Sequence, residues 1–470
     1  MDALGSAHSG SSFGRQHFGH CELGDQRLTD RLVHTADQIL RHPGGTLPDK
    51  LNRNADLVGF YRLANNAKVT HGKLVAAHAA RTRELIASAA GAVVLVIHDT
   101  TEVDFSGLDA EGLGQIGNGG GRGLLAHNSL AYDFEAGESL GLLGQLLHVR
   151  RKAPKGESPK AKRDHPQRES RLWKKGWQAA GPVPGKRVVH VADRGADLLE
   201  FTEAVHLAGD LYVVRSKSNR NVELDDGAGG ATQAKLHDVA RSLPDLGERT
   251  VDVSTNKGHK ARVARVRIAA GPVSIRPPHL ARGEHSAEPL PAWVVHVREI
   301  GKPPAGEPPL EWILLTNVPA PDPASAAERV DWYAARPVIE EFHKAMKTGC
   351  GVELPQFTTA HALGVTVAVL SVVATQLLRL RDLARNPDAA ERPAAEVVDQ
   401  VYIAAIVGWR FKAARPDLTV REFCMALAKL GGHLNRKGDG PPGWLVLWRG
   451  WTKLQPIVDG MQIERRRRCV

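Results

Sequence analysis

Cysteine is scarce in this chain of 470 residues, which has only Cys21, Cys350, Cys424 and Cys469. No two of them are close enough in sequence to form a CxxC metal clamp or a dense disulfide framework. The sequence also lacks an HExxH motif. These absences exclude the common zinc-motif enzymes and disulfide scaffolds, and they are typical of a protein from a reducing cytosol.

Long apolar runs are also missing, with one partial exception at Leu363 to Leu378. That stretch is shorter than the ~20 residues that a membrane-spanning helix needs, and it carries polar residues at Thr366, Ser371, Thr375 and Gln376. We therefore predict a buried core helix and no membrane partner. The N-terminus, MDALGSAHSGSSFGRQHF, lacks the apolar segment of a secretory signal. The expected location is the cytoplasm.

Acidic residues are outnumbered by basic ones, 52 to 62, which gives a formal net charge of +10. The basic residues are clustered, most densely in RRKAPKGESPKAKRDH at 150–165. This balance favours a polyanionic partner such as nucleic acid. We predict that segment 150–165 is disordered without a partner, and contact with DNA and a plain solvated loop both remain open for it.

The hydrophobic pattern changes twice along the chain. Residues 22–85 have apolar positions at helical spacing, whereas AVVLVIH from Ala92 is a continuous apolar run typical of a buried strand. Further strand signals alternate with helical ones up to residue 215, short alternating pieces fill 246–310, and the last hundred residues are mainly helical. We predict an α/β fold with a helical domain at 1–75, a central domain at 76–370 that contains a β-rich insertion at 246–310, and a helical domain at 371–470.

The glycine-rich segment GLGQIGNGGGRG at 112–123 resembles a phosphate-binding loop only superficially. A nucleotide-binding loop of this kind lies between a strand and a helix, whereas here a strand signal follows. We predict a flexible loop.

Two carboxylates follow predicted strands directly. Asp99 comes after AVVLVIH and Asp193 after RVVHVA, at the strand ends where α/β sheets expose functional groups. A carboxylate in this position with no charged neighbour in the local sequence can be compensated by a divalent cation. Taken alone, either aspartate could equally be a turn or helix-cap residue.

A third acidic residue belongs to a patterned segment, YAARPVIEEFHKAMK. Tyr333, Arg336, Glu340 and Lys347 stand at offsets that place them within about 60° on one face of a continuous α-helix. Glu341 lies about 100° away from Glu340, so Glu340 is the preferred third carboxylate. Pro337 interrupts the pattern: either the helix kinks there, or a new helix begins with Pro337 in its first turn.

The spacing Tyr-(2)-Arg-(3)-Glu-(6)-Lys resembles the signature of a large group of bacterial insertion-sequence transposases. The likeness covers nearly the whole chain. Other blocks similar to that family are Leu23-Gly24-Asp25, Asp99-Thr100-Thr101, Asp193-Arg194 with Asp197, Val213 to Lys217, Trp312 before Leu314-Leu315-Thr316, and Trp444 to Trp451.

This resemblance implies an RNase H-like core of the DDE class, with Asp99 and Asp193 on strands and Glu340 on a helix. It also implies that the three carboxylates hold two Mg²⁺ ions, replaceable by Mn²⁺, about 3.5–4 Å apart. The implied reaction is cut-and-paste transposition: hydrolysis and transesterification at the ends of the element, by way of a DNA hairpin, and then strand transfer into target DNA.

The resemblance further implies which residues contact DNA. Arg336, Lys347 and Tyr333 would hold phosphates near the scissile bond, and Trp312 would stack on a base flipped out as the hairpin forms. The remaining implied contacts are Arg215 and Lys217 after a strand, and Arg27 and Arg31 in the helical N-terminal domain. For Tyr333 and Trp312 a second interpretation remains open, in which the side chains only pack inside the protein and do not contact DNA.

Three functions stay open at this point. An active transposase would bind the terminal inverted repeats of its element and form a homodimer through residues 371–470. A structure-specific nuclease on the same fold would keep the three acids but would not need Trp312 or the long terminal domains. An inactive DNA-binding protein descended from a transposase would be expected to have lost some of the acids, and this chain retains all three.

Overall fold

The computed structural model describes residues 12–225, 230–253, 261–278, 285–411, 413–436 and 439–468. Cys469 and the first eleven residues of the predicted N-terminal domain lie outside these ranges. So do two parts of the predicted β-rich insertion, residues 254–260 and 279–284.

Helices fill both ends of the chain and separate the strands between them. The α-helices are α1 (Phe13–Phe18), α2 (Gln26–Arg41), α3 (Leu47–Lys50), α4 (Asn54–Ala64), α5 (His71–Ser88), α6 (Pro159–Asp164), α7 (Arg171–Ala180), α8 (Leu199–Leu207), α9 (Leu236–Ser242), α10 (Pro323–Ala334), α11 (Pro337–Lys344), α12 (Ala360–Arg385), α13 (Pro387–Ala390), α14 (Gln400–Arg410), α15 (Val420–Leu430) and α16 (Trp444–Arg468). Short 3₁₀ turns form at Arg194–Ala196 and Ala394–Glu396, and Ala345–Gly349 is π-helical.

The strands lie in the central part of the chain. They are β1 (Val93–Asp104), β2 (Gly114–Ile116), β3 (Gly121–Asp133), β4 (Glu138–His148), β5 (Arg187–Ala192), β6 (Leu211–Arg215), β7 (Asn221–Asp225), β8 (Ala231–Lys235), β9 (Asp245–Val253), β10 (Arg262–Ile275), β11 (Leu290–Glu299) and β12 (Glu311–Thr316). The predicted mixed α/β class with helical terminal regions is confirmed.

Two compact units share the chain. Unit 1 comprises Met1–Gly91, Thr100–Gly156 and Glu341–Val470, and unit 2 comprises Ala92–Asp99 and Glu157–Glu340. Strand β1 and helix α11 each contribute residues to both. The predicted three-part division follows the order of the sequence, whereas these units are assembled from separate segments of the chain.

Helix α12 forms the centre of unit 1, where it packs against α2, α4, α5, β4, α15 and α16. By length and composition α12 could cross a membrane, but 94% of its most apolar stretch of 18 residues is buried inside the protein. Its buried polar side chains have partners: Thr366 Oγ1 donates to the Ala362 carbonyl over 2.8 Å, and Ser371 Oγ accepts from Gln145 over 3.0 Å. The prediction of a buried core helix is confirmed.

The glycine-rich segment is more ordered than predicted. Gly114–Ile116 forms β2, which pairs in antiparallel fashion with Gly121–Gly123 of β3. Gly117 and Gly119 have positive φ angles of 57° and 96°, a conformation that glycine adopts without a steric cost. The flexible-loop prediction was wrong because these glycines build a hairpin turn, which the absence of periodicity did not reveal.

Unit 2 is built on a mixed sheet with the strand order β1-β5-β6-β12-β11-β10-β7-β8, and β9 pairs with β10. Strands β1, β5 and β6 are parallel, whereas β12 and the strands beyond it pair in antiparallel fashion. The antiparallel part includes β9, β10 and β11, which lie where the β-rich insertion was predicted. The sequence reading missed β7, β8 and α9.

One face of this sheet is covered by a continuous apolar core. It includes Phe201 of α8, Tyr212 and Val214 of β6, and Leu236 of α9, all fully or almost fully buried. This packing fixes the ends of the parallel strands, which carry the candidate site.

Candidate active site

The parallel pairing of β1, β5 and β6 brings two acids and an arginine together at one edge of the sheet. Asp99 lies within β1, which continues to Asp104, so the prediction that Asp99 directly follows a strand was wrong. In the register of these strands, His98 of β1 pairs with Ala192 of β5, which pairs with Val214 of β6. The next residues along the chain are Asp99, Asp193 and Arg215. Because neighbouring strands are about 4.8 Å apart, these residues come together although they are distant in sequence.

A break between two helices positions the third acid. Helix α10 ends at Ala334, the Arg336 N–H donates to the Tyr333 carbonyl over 3.0 Å, and α11 begins at Pro337. The expectation that a new helix starts with Pro337 in its first turn is confirmed. The four residues Tyr333, Arg336, Glu340 and Lys347 do not lie on one continuous α-helix, because of this break and the π-helical turn at 345–349. Tyr333, Arg336 and Glu340 nevertheless line one cavity.

Arg336 joins the three predicted carboxylates. Its Nη2 atom lies 2.8 Å from Asp99 Oδ2 and 3.6 Å from Asp193 Oδ2, and its Nη1 donates to Glu340 Oε1. Asp99 and Glu340 are 241 positions apart in the sequence. The structure thus brings together the three acids singled out by the sequence, around a guanidinium that is only 14% exposed.

The charges in this cluster do not balance. Three carboxylates surround one guanidinium, which leaves a formal charge of −2 when all are ionised. Burial lowers the pKa of Arg336, but the charges of Asp99 and Asp193 more than offset this, so its pKa is raised above the usual arginine value. Arg336 therefore stays positively charged, and Arg215 beside Asp193 offsets part of the remaining negative charge.

A divalent cation fits this donor set in chemistry and charge. Carboxylate oxygens are the ligands that Mg²⁺ and Mn²⁺ prefer. Among the described residues no three His, Cys, Asp or Glu side chains are already arranged to hold an ion, because here the Arg336 guanidinium lies between the acids as their cation. Asp99, Asp193 and Glu340 are the residues that would hold such a cation, at the position that the Arg336 guanidinium occupies in this structure.

A cavity of about 640 Å³ opens beside the cluster, within the range of about 300–1,000 Å³ typical of small-molecule sites. Trp312 lines it, remains partly exposed, and meets Tyr333 edge to face at a centroid distance of 5.1 Å. Tyr333 itself is buried, and burial raises its pKa. The other lining residues are Arg194, Arg215, Asp252, Val253, Pro308, Pro309, Leu310, Glu311, Ala334, Arg336, Pro337 and Glu340.

The basic residues after β6 are held in different ways. Arg215 lines the cavity, and its Nη2 donates to the Glu311 carbonyl over 2.8 Å. Lys217 is exposed, and its backbone N–H donates to Asp197 Oδ2 over 2.7 Å. Asp197 is buried, and it also accepts from the Ser218 N–H and from the Arg220 guanidinium. Asp197 thereby stabilises the turn that contains Lys217. The only sign of Asp197 in the sequence was its place four residues after Asp193.

A buried pair of imidazoles lies behind the two aspartates. His98 Nε2 is 2.9 Å from His190 Nδ1, and His190 Nε2 is 3.6 Å from Asp210 Oδ2. The Trp177 indole donates to the same carboxylate over 2.8 Å. The hydrogen bond from His190 lowers the pKa of Asp210. The pair links β1 to β5 one residue before Asp99 and three before Asp193, and sequence reasoning missed it because each histidine lies within a strand-like run.

The remaining predicted contacts lie in unit 1. The Lys347 ammonium is 3.2 Å from Glu353. Arg27 and Arg31 both project from α2. The Arg27 side chain is 91% exposed and pairs with Asp25 at the start of that helix, and Arg31 lies 3.2 Å from Asp56 of α4.

The helical region that carries Arg27 and Arg31 is similar to a known domain. Residues 11–69, which include α1 to α4, match a family model described as transposase DNA-binding. The N-terminal region of this chain thus carries a transposase DNA-binding domain, which supports its assignment as a DNA-binding transposase.

Proposed function

We propose that this protein is a DDE transposase of the cut-and-paste type, with an RNase H-like core. One observation carries the proposal: Asp99 within β1, Asp193 directly after β5 and Glu340 on α11 surround the largely buried guanidinium of Arg336, in a chain whose N-terminal region matches a transposase DNA-binding family model. Asp193 also caps the 3₁₀ turn at Arg194–Ala196, where its Oδ1 accepts the Gly195 N–H over 2.7 Å. Capping does not explain why three acids so far apart in sequence converge on one guanidinium.

Each element of the site has a part in the proposed reaction. Mg²⁺ or Mn²⁺ ions held by the three carboxylates would supply activation of the attacking oxygen and stabilisation of the leaving oxygen. Arg336 would turn from the acids to a DNA phosphate once those cations are bound, because its positive charge is then no longer needed between the carboxylates. Arg215 and Lys217 would hold phosphates on the neighbouring surface.

The whole chain would act as a pair of copies on double-stranded DNA. Residues 11–69 would bind the terminal inverted repeats, with Arg27 and Arg31 contacting the duplex. Residues 371–470 would supply the helices of the homodimer that pairs the two ends, and target DNA would enter the same active site for strand transfer. This proposal places the protein in the bacterial cytoplasm, at the nucleoid.

A metal-dependence experiment tests the proposal. The purified chain should nick a duplex carrying the element's own end in Mg²⁺ or Mn²⁺, and it should not do so in EDTA. Joining of the freed 3′ end to a second duplex separates a transposase from a nuclease on the same fold. An intact duplex in every metal condition, with normal binding of the DNA end, would contradict an active enzyme and favour a DNA-binding descendant.

Trp312→Ala should separate the first cut from the next step. The variant should nick the DNA end at the normal rate, because attack by water needs only the metal-holding acids and the phosphate. It should form about a tenth or less of the normal amount of hairpin, since base–aromatic stacking contributes roughly 1–3 kcal/mol per base. A denaturing gel that resolves nicked and hairpin products measures both steps.

Trp312→Phe is the matched control, because it keeps an aromatic face on the cavity and should restore most of the hairpin. Normal hairpin yield from Trp312→Ala would show that the indole is only a packing residue beside Tyr333.

A further inference from the structure

Half of the protein's excess positive charge lies in fifteen residues. The segment 150–164 contains seven Lys and Arg and two Asp and Glu, a net charge of +5, and the whole chain carries +10. Like charges at this density repel one another and oppose a compact structure. Within the protein, Arg150 is paired with Glu102 and Arg163 with Asp164, so the charge that calls for an external partner is that of the lysines.

The last six residues of the segment form a helix that buries none of its residues. Helix α6 begins after Ser158, whose hydroxyl accepts the Ala161 N–H over 3.1 Å, and it ends at Asp164. Isolated helices shorter than about 12–15 residues are marginal in water, and this one has six residues. Because none of its residues is buried, packing against other described residues does not explain why this short helix forms.

Four lysines along the segment lack acidic partners. Lys152, Lys155, Lys160 and Lys162 are exposed, and none of them has a carboxylate partner in the described part of the chain. By contrast, two arginines of the segment are paired, Arg150 with Glu102 and Arg163 with Asp164. Four exposed lysines thus lie within eleven positions of the chain with no carboxylate partner among the described residues.

The residues that follow the segment are anchored to unit 2. Arg168 lies 2.7 Å from Glu200 of α8, and the Lys175 ammonium donates to the Pro166 carbonyl over 3.3 Å. Arg171 reaches the carbonyl of Asp164 over 3.5 Å. These contacts hold the C-terminal end of α6 in place, so the exposed lysines of this helix have a defined position on the surface of unit 2.

The composition of the segment identifies the kind of partner. Alanine and proline are its largest apolar residues, so it offers neither the apolar centre of a protein interface nor the anchors of a membrane-surface helix. Lysines act as point charges that contact phosphates without reading bases. Since the chain also carries a transposase DNA-binding domain, duplex DNA is the polyanion that fits best.

We propose that residues 150–164 bind the phosphate backbone of duplex DNA independently of sequence. This inference rests on the proposed function, because it adds a second DNA contact to the one made by residues 11–69. The segment would increase the affinity for any duplex, whatever its sequence. The N-terminal domain would recognise the end of the element.

The test compares two triple variants of the full-length protein. Lys155, Lys160 and Lys162 are replaced by Gln in one, and the exposed Lys235, Lys302 and Lys453 in the other. Both lose the same charge. Binding to a 40-base-pair duplex of arbitrary sequence is measured between 50 and 300 mM salt. Because each phosphate contact contributes about 0.9 to the slope of log K against log salt, the segment variant should lose about 2 to 3 from the slope and about 100-fold in affinity at 100 mM salt.

Several outcomes overturn the inference. Equal slopes for the two variants would place the general contacts elsewhere, while normal end binding and nicking by the same proteins would leave the proposed function intact. Failure of the unmodified protein to bind any duplex would overturn both. If the segment variant instead loses binding to vesicles rich in anionic lipid and keeps its DNA slope, the partner is a membrane. Circular dichroism melting curves should be the same for both variants, because all six lysines are exposed.

Discussion

Glu340→Gln should lower the rate of DNA nicking by about 1,000-fold or more. The substitution keeps the size of the side chain but removes one of the three negative charges that would hold the metal. Metal-ion catalysis stabilises the transition state by several kcal/mol, and about 4 kcal/mol corresponds to a factor of about 1,000. Single-turnover cleavage of a labelled DNA end in Mg²⁺ measures this loss.

Binding of the same DNA end should stay within about threefold of normal, because affinity comes mainly from phosphate contacts distributed over the protein. The matched control is Asp252→Asn, which removes a carboxylate that lines the same cavity but is not one of the three acids. Nicking by Glu340→Gln at the rate of the control would exclude Glu340 as a metal-holding acid.

Much of the fold could be predicted because buried strands and core helices leave strong periodic signals. Strands β1, β5 and β12 are largely apolar over 93–97, 188–192 and 312–315, and α12 is apolar along most of its length. Elements with weak patterns were missed. Strand β8 has only polar residues and alanines, and β2 consists of three residues within a glycine-rich run, so their pairing depends on partners elsewhere in the chain.

The site was predicted in its membership but not in its geometry. Strand ends and the Tyr-Arg-Glu-Lys spacing identified Asp99, Asp193 and Glu340. The spacing was measured along one straight α-helix, however, whereas the chain forms two helices that are separated just before Pro337. No local pattern could have shown that Arg336 reaches Asp99, because that contact spans 237 positions and depends on the parallel pairing of β1 with β5.

That contact leads to the last prediction: Arg336→Gln should increase the affinity of the DNA-free protein for Mn²⁺. In the structure the guanidinium neutralises part of the charge of three carboxylates, so a metal must compete with it. Two unit charges about 4 Å apart interact by about 1 kcal/mol at the dielectric constant of water, hence a dication and a guanidinium by about 2 kcal/mol. Removing this repulsion should tighten Mn²⁺ binding about 30-fold, as measured by isothermal titration calorimetry.

The same variant should nick DNA slowly in spite of its tighter metal binding, because it has lost a group that would hold phosphate. Arg194→Gln serves as the control, since Arg194 lines the cavity but has no ion pair with the three acids among the described residues. Its Mn²⁺ affinity should change by less than about threefold, because a more distant and solvated charge is screened. Weaker Mn²⁺ binding by Arg336→Gln would mean that the guanidinium holds the acids in place for the metal, and that it does not compete with it.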